Sequence, residues 1–404
     1  MPSSPFPVEP APPDPSAPPL ILVGASTRAA AWSAIRAGWR PLCADLFGDR
    51  DLASLTRVIT VGDYPRGLPA AVGQLAEGLP GPCPRVYTGA LENHPEIIDA
   101  LAANGPLWGN PSDVLTLIRD PWWVARLCQA HDLPCPTLRP GTDPPPRDGN
   151  WILRSTRSGG GSGVVDWSPE FSPESLPDRD RGGLVFQQKI HGRAAAALCV
   201  GDGRSARLLG TTIQLVGQPW LSATRWAWCG SIGPLALPQP IDDRVRRLAE
   251  VLVSAAGLRG LFGIDMVIND HGAWPVEINP RYTASAEVLE SASGESMIAE
   301  HLAVFSTTRA RSETSRMARS DGLACHGKAV LFAPADLEIR DLPLSSPEPV
   351  TAASPWYLAD VPHEGTTIPA GRPICTVLTS AATNDSCREN LQSAAEAVYQ
   401  SQER

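Results

Sequence analysis

Three oxygen-bearing side chains within residues 263–281 have the types and spacing of a cation site. Apolar residues on both sides of the turn 269–272, Asn-Asp-His-Gly, predict two strands joined as a β-hairpin. Because alternate side chains of a strand share a face, Glu277 and Asn279 point the same way, and Asp265 on the adjacent strand can meet them. Two carboxylates and an amide oxygen suit Mg²⁺ held against nucleotide phosphates. We therefore predict Asp265, Glu277 and Asn279 as metal ligands.

Arg281 ends the second strand of this hairpin. Its guanidinium can donate as a fork to phosphoryl or carboxylate oxygens, which predicts a catalytic role. The alternative is a surface hairpin whose acids are simply solvated. Residues 278–281, Ile-Asn-Pro-Arg, argue against that alternative, because such a strand end is unusual unless its polar groups are used.

A second candidate is the glycine-rich stretch 154–163, which lies between two predicted strands. Glycines let successive backbone N–H groups surround an anion. Because a strand follows and no Gly-Lys-Ser/Thr is present, the stretch is not a Walker A loop, and it suits a lid that closes over phosphates. A glycine-rich loop alone is more often a plain flexible turn, but the basic residues Arg154, Arg157 and Arg28 favour an anion. The residues expected to contact it are Arg154, Ser158, Gly159, Gly160, Gly161 and Ser162.

The elements that must position these residues begin with a predicted parallel α/β unit. Residues 20–23 predict a strand, 27–36 a helix and 41–45 the next strand, which together open a βαβ unit. The connecting turn lacks the Gly-x-Gly-x-x-Gly pattern, so a dinucleotide site is not supported. We weigh two interpretations of the turn equally: a tight turn required by packing, and a helix N-terminus that holds a substrate or phosphate with Ser26 and Arg28.

The rest of the chain predicts a change from alternating elements to strands. Asp120 and Pro121 have the types of a helix N-cap and first helical residue. Residues 242–258 predict an amphipathic helix, and the polar stretch 306–321 predicts a linker. The further predicted strands are 151–154, 163–167, 184–187, 329–332 and 374–378, and a helix ends the chain.

Composition limits the class of protein and of partner. The 404 residues are enough for two or three domains, and 43% hydrophobic with 19% charged residues is typical of a globular chain. A net charge of −9 argues against a nucleic-acid partner. Lys189 and Lys328 are the two lysines among 34 basic residues, so we accept arginine where a motif usually carries lysine.

The nine cysteines show no Cys-x-x-Cys spacing, which argues against a zinc site or a disulfide framework. We expect residues 1–19, rich in proline and serine, to form a disordered tail and not a signal peptide. No apolar run reaches the length of a membrane span, so we expect a cytoplasmic protein without a membrane partner.

The glycine-rich stretch and the hairpin, in this order along the chain, resemble the ATP-grasp superfamily, and more narrowly ATP-grasp proteins linked to one-carbon cofactor biosynthesis. The resemblance implies an α/β and α+β fold: a Rossmann-like pre-ATP-grasp domain (20–111), a two-subdomain ATP-grasp domain (112–305) with a lid hairpin (151–167) and the metal hairpin (263–281), and a small β-rich C-terminal domain (322–404). It also implies an interdomain hinge that binds adenine through backbone groups. The implied hinge residues are Gln187, Gln188, Lys189 and Ile190.

The chain departs from the family pattern in its basic residues and its hinge. Arg154 stands for the lysine that precedes the lid, and Arg119 or Arg126 must replace an earlier phosphate-binding lysine. Gln188 replaces a hinge acid, and alanines occupy 194–197, where a ribose-binding acid is expected. By the same resemblance, Glu287 and Glu290 fall where relatives carry polar residues on the substrate side.

The resemblance implies an ATP-dependent carboxylate–amine ligase that uses Mg²⁺ or Mn²⁺. The implied partners are a small-molecule carboxylate and an amine, and the implied products include ADP and phosphate released through an acyl phosphate. Two alternatives stay open: a nucleotide-binding module that no longer catalyses, and a small-molecule kinase. The sequence does not set the oligomeric state, and a homodimer is one alternative.

Overall fold

A computed structural model describes residues 10–157, 159–172, 183–306, 325–343 and 356–403. Its N-terminal part is a four-stranded parallel sheet in the order β3-β2-β1-β4, as the βαβ pattern predicts. The strands are β1 (Pro19–Gly24), β2 (Arg40–Asp45), β3 (Arg57–Thr60) and β4 (Arg85–Tyr87). The helices of this part are α1 (Arg28–Arg36), α2 (Arg50–Ala53), α3 (Leu68–Ala76) and α4 (Pro95–Ala103).

Two short helices lead from this unit to a small antiparallel sheet in the order β5-β8-β6-β7. Asp120 caps the second helix by accepting from the backbone N–H of Trp122, which confirms the predicted N-cap. The elements are α5 (Ser112–Ile118), α6 (Pro121–Ala130), β5 (Leu138–Pro140), β6 (Trp151–Ser155), β7 (Val164–Trp167) and β8 (Leu184–Gln188).

The two faces of this small sheet differ. Trp167 and Phe186 pack together with Leu153 on one face. Cross-strand partners share a face, so Arg154, Asp166 and the residues paired with them lie on the other. The apolar core on one face therefore fixes which polar side chains point into the cleft below.

An eight-stranded antiparallel sheet forms the other wall of that cleft, in the order β13-β12-β9-β10-β11-β14-β18-β16. A short 3₁₀ helix, Pro219–Leu221, lies between β10 and β11. The strands are β9 (Arg193–Asp202), β10 (Ala206–Val216), β11 (Trp228–Gly233), β12 (Arg259–Asn269), β13 (Gly272–Asn279), β14 (Cys325–Phe332), β16 (Trp356–Ala359) and β18 (Pro373–Ala381). The strands β15 (Leu337–Glu338) and β17 (Thr367–Ile368) form a separate two-stranded sheet.

The C-terminal strands extend this large sheet, because β14 pairs with both β11 and β18. Helix α10 (Asn384–Glu403) buries Leu391 and Val398 against them. On the hairpin side, α7 (Gln239–Ala256) covers β9 and β12 with the apolar stripe that its sequence period predicts. The remaining helices, α8 (Ser285–Ser293) and α9 (Met297–Ala303), follow the metal hairpin.

Some expectations fall outside the described residues: most of the linker at 306–321, the first half of the tail at 1–19, and Ser158. All nine cysteines are described, and all are free thiols. Among the described residues we find no helix with both the length and the apolar character needed to cross a bilayer.

Candidate nucleotide and metal site

The structure brings together the three side chains predicted as metal ligands. Asp265 and Glu277 are direct cross-strand partners, and the amide nitrogen of Asn279 donates to Asp265 Oδ2 at 2.9 Å. The register shifts between Asp265 and Met266, one residue beyond this pair. Pro275 sits at that shift, where a residue without a backbone N–H is tolerated. The hairpin therefore presents the three polar groups on one face, as the alternation predicts.

The chemistry of this donor set fits a hard divalent cation. Burial, followed by the charge of Glu277, raises the pKa of Asp265 to about 7. Two close carboxylates repel each other, so a cation between them would relieve a cost that the folded chain carries. Within the described residues, no group of three histidine, cysteine, aspartate or glutamate side chains could hold a metal. A site here therefore depends on the amide oxygen of Asn279 as the third protein ligand.

Arg119 is a basic residue that reaches this set. It follows directly on α5, its side chain is 8% exposed, and it forms an ion pair with Glu277 Oε1. Arg126, the other candidate for the missing lysine, is 68% exposed and lies near Asp120 instead. The structure thus separates two positions that the sequence left equivalent.

Arg154 lies on the cleft-facing side of the small sheet, and its Nε donates to Gln187 Oε1 at 2.8 Å. Burial lowers the pKa of Arg154 below the ordinary arginine value. Arg119, Arg154, Gln187 and Glu277 line one pocket between α5, the small sheet and the metal hairpin. Two guanidinium groups and a carboxylate therefore line the same pocket.

The glycine-rich lid is docked on the turn between β10 and β11. The backbone N–H of Trp228 donates to Gly160 O at 3.1 Å. Gly161 has φ +82°, and a Cβ there would lie 1.7 Å from Trp226 O, so a larger residue would prevent this contact. Ser162 N–H donates to Gly159 O at 3.2 Å, which closes the turn of the lid.

The predicted hinge lies at the end of β8. The backbone N–H of Gln188 donates to Thr137 O and that of Lys189 donates to Asn150 O, both at 2.8 Å. The side chain of Gln188 accepts from Thr137, and Lys189 Nζ donates to Asp166 at 2.8 Å. Both of these backbone N–H groups are therefore already used within the protein. The groups of this segment that are left to contact adenine are its carbonyl oxygens and Ile190, and such a contact stays a prediction.

Glu92 and Asn93 lie in the same place, although sequence reasoning did not select them. They follow β4, on the loop before α4. Glu92 accepts from Arg281 Nε at 2.9 Å and from Arg281 Nη2 at 2.6 Å, and Asn93 Oδ1 accepts from Arg119 at 3.4 Å. Their position in the chain could have identified them, because loops at the carboxyl ends of parallel strands commonly form binding sites.

Comparison with known protein families identifies one part of the chain. Residues 118–285 match the family model of the ATP-grasp domain. This chain contains an ATP-grasp domain. The matched range includes the predicted lid, hinge and metal hairpin.

Relatives and solved structures agree with this assignment. A 97-residue stretch is 30% identical to the carbamoyl phosphate synthase large chain of Neisseria gonorrhoeae, a match that covers 24% of this chain and 9% of that protein. The biotin carboxylase domain of the Hydrogenobacter thermophilus 2-oxoglutarate carboxylase, solved with MgADP, ADP and bicarbonate, gives a TM-score of 0.70 at 14% identity, over 93% of this chain and 89% of that chain. The L-amino acid ligase of Bacillus licheniformis gives 0.66 at 13% identity, over 94% and 97%. At these identities the structural likeness establishes the ATP-grasp fold.

Two expectations about basic residues need correction. Arg28 does not lie beside the ATP-grasp lid and is not available to an anion, because its side chain is fully buried in ion pairs with Glu287 and Asp360. At the start of α1, Asp45 accepts from the backbone N–H and the hydroxyl of Thr27. Of the two interpretations of this turn, these contacts favour the one based on packing.

Glu287 and Glu290 also have partners other than a substrate. Glu287 is held by Arg28 and by Lys328 Nζ at 2.7 Å, and Glu290 accepts from Arg36 Nε at 2.6 Å. Their side chains are 6% and 1% exposed. Both glutamates lie on α8 and join the ATP-grasp domain to the N-terminal unit, so the expectation of a substrate-side role is wrong.

Proposed function

We propose that this protein is an ATP-dependent carboxylate–amine ligase that works through an acyl phosphate. The observation that carries the proposal is the convergence of Asp265, Glu277 and Asn279 with Arg119 and Arg154 at one end of an ATP-grasp cleft. The proteins with the same fold support the class of reaction, since one is an L-amino acid ligase and another was solved with MgADP and bicarbonate.

In the proposed reaction, an oxygen of the substrate carboxylate attacks the γ-phosphorus of ATP, and the bond to the β-phosphate oxygen breaks to release ADP. The nitrogen of the amine then attacks the acyl carbon, loses a proton, and displaces inorganic phosphate. Little proton transfer is required, so the protein contributes mainly by positioning reactants and offsetting charge. The expected products are an amide, ADP and phosphate.

The residues of the chain divide this work. Asp265, Glu277 and Asn279 would hold Mg²⁺ or Mn²⁺, which supplies positive charge beside the phosphate oxygens. Arg119 and Arg154 offset the negative charge that develops in phosphoryl transfer. The lid at Gly159–Gly163 excludes water, which would otherwise hydrolyse the acyl phosphate.

The direct test supplies ATP and Mg²⁺ with a panel of carboxylates and amines, and measures ADP, phosphate and amide by separate assays. ADP with an amide supports the ligase. ADP with a stable phosphorylated compound would support a kinase, and tight ATP binding without turnover would support a silent nucleotide-binding module. The last two outcomes each overturn the ligase proposal.

Glu277→Gln tests the metal assignment. We expect turnover to fall by more than the roughly 10–100-fold that loss of a mere supporting contact at a metal site costs, while the thermal unfolding midpoint changes little. Glu250→Gln, an exposed acid on α7, is the matched control. Full activity in Glu277→Gln would contradict the assignment of these residues as metal ligands.

A further inference from the structure

A short segment of the N-terminal unit enters the centre of the ATP-grasp site. Glu92 is 4% exposed and holds Arg281 through both carboxylate oxygens. A Cβ added to Gly159 of the lid would lie 3.9 Å from Glu92 Oε1 and 3.9 Å from Asn93 Nδ2. Gly159 of the lid therefore lies close to the carboxylate that holds Arg281.

This contact changes what Arg281 can do. A guanidinium has five N–H donors. Glu92 takes two of them, Tyr282 O accepts from Nη1 at 3.1 Å, and Asn279 Oδ1 accepts from Nη2 at 3.4 Å. Within the described residues, one donor of Nη1 is left. Arg281 thus presents a single directed N–H, and the open fork expected from the sequence is not available.

The charge state of Glu92 agrees with this geometry. Burial opposes its ionisation, but the charge and hydrogen bonds of Arg281 outweigh that and lower the pKa of Glu92 to about 2. Glu92 is therefore an anion at neutral pH and a poor proton acceptor, which leaves orientation as its chemical contribution.

We propose that Glu92 is a positioning residue, which fixes the Arg281 guanidinium so that its remaining N–H meets the reacting substrate in one orientation. This inference rests on the ligase function proposed above. It also makes the N-terminal unit part of the catalytic assembly, because Arg281 is held only when the loop that carries Glu92 is seated against the metal hairpin.

The competing explanation is that Glu92 only joins two parts of the chain. Glu290 provides a matched comparison, because its carboxylate is equally buried, accepts from Arg36 Nε and Ser33 Oγ, and joins the same two parts away from the metal hairpin. A merely cohesive role predicts the same behaviour for Glu92→Gln and Glu290→Gln.

The test is a double-mutant cycle with Glu92→Gln, Arg281→Met and the combined variant, measured as kcat, KM for ATP and thermal midpoint. We expect Glu92→Gln to lower kcat by about 10²-fold, the loss typical of a misplaced catalytic group, with KM for ATP within about twofold. The combined variant should be no slower than Arg281→Met, because the two residues act as one unit. Glu290→Gln should lose stability but keep kcat.

Glu92→Asp keeps the charge and should recover part of kcat. It replaces Glu92→Gln in the kinetic comparison if that variant folds poorly. Losses that multiply in the combined variant, or equal profiles for Glu92→Gln and Glu290→Gln, would overturn the proposal.

A spectroscopic measurement separates failure of this inference from failure of the ligase proposal. The ¹⁵Nε–H signal of Arg281, assigned by its disappearance in Arg281→Met, should exchange slowly with water in the wild type and in Glu290→Gln, and rapidly in Glu92→Gln. If the wild type makes no product but this pattern holds, the ligase proposal fails and Arg281 is still held by Glu92. If the signal is unchanged in Glu92→Gln, Glu92 does not fix Arg281.

Discussion

Arg28→Met removes the centre of the ion-pair network that joins the three parts of the chain. The side chain of Arg28 is fully buried and contacts carboxylates from three separate elements. Its Nη1 lies 2.5 Å from Glu287 Oε1, and its Nε lies 2.8 Å from Asp360 Oδ1 and 3.5 Å from Asp51 Oδ2. Methionine is unbranched and apolar, so the change removes the positive charge that lies beside these three carboxylates.

The expected loss of stability depends on the ion pairs that remain in the variant. Removing one partner of a buried ion pair costs about 3–5 kcal/mol. Lys328 still pairs with Glu287, so we expect a loss near the lower limit, about 3 kcal/mol. With an unfolding entropy of about 2.1 cal/mol/K per residue, the midpoint of a 404-residue chain shifts by about 1.2 °C per kcal/mol, so the thermal midpoint should fall by roughly 3–4 °C.

The dependence on pH has a definite sign. The charge of Arg28, acting against burial, lowers the pKa of Glu287 to about 2 and lowers that of Asp360 as well. Carboxylates with a lowered folded-state pKa stabilise the protein above their unfolded-state pKa, and this contribution is lost as the pH falls through the folded-state value. The difference between wild type and Arg28→Met should therefore be full at pH 7 and shrink below about pH 4.5.

Thermal and urea unfolding at pH 7 measure the effect. The control is Arg246→Met, because Arg246 is 52% exposed and pairs with Asp242 on α7, a type of pair that contributes about 0.3–0.5 kcal/mol. If the midpoint of Arg28→Met stays within about 2 °C of this control, the network does not stabilise the fold as argued. Weakened substrate binding without loss of stability would instead restore the anion-site interpretation of the α1 N-terminus.

Two further predictions concern the lid and a buried histidine. Gly161→Ala should undock the lid, raise KM for ATP and speed amide exchange across 159–166. The control is Gly160→Ala, which has a similar positive φ but nothing within 4 Å of its Cβ, and it should change these three quantities little. Equal effects in the two variants would exclude the contact with Trp226 as the cause. Burial lowers the pKa of His301 to about 4, so the neutral ring stabilises the fold at pH 7 and that contribution is lost as the pH falls from about 6.5 to about 4. The urea midpoint of the wild type should therefore drop over this range more than that of His301→Gln, and parallel curves would contradict this reasoning.

Local features of the chain could be predicted from the sequence because their causes are local. Alternation of side chains and the turn 269–272 together predict the two strands of the metal hairpin and the face that its polar residues share, whereas the register shift between Asp265 and Met266 is not contained in that pattern. The βαβ opening and the N-cap at Asp120 are equally short-range. By contrast, the sheet that runs from β13 to β16 depends on the pairing of β11 with β14, strands separated by about ninety residues, which no local pattern encodes.

The partners of charged residues could not be predicted for the same reason. Arg28 and Glu287 are 259 residues apart in sequence, and Glu92 and Arg281 are 189 apart. Each residue alone looks like a solvated charge or a ligand-binding group. Burial decides between these uses, because a buried charge is costly unless a partner satisfies it.

The use of arginine where the family pattern has lysine explains why such polar partners are needed. Lysine carries three donors on a flexible stem and adapts to its ligand, whereas arginine carries five in a rigid plane, so a buried arginine leaves donors unpaired unless neighbouring side chains accept from them. In this site each arginine has such an acceptor: Gln187 for Arg154, Glu277 with Asn93 for Arg119, and Glu92 for Arg281. The acceptors that replace solvent here also fix the direction of each guanidinium. A change from lysine to arginine at such a site therefore requires compensating residues elsewhere in the chain, and Asn93, which accepts from Arg119, is one that the N-terminal unit supplies.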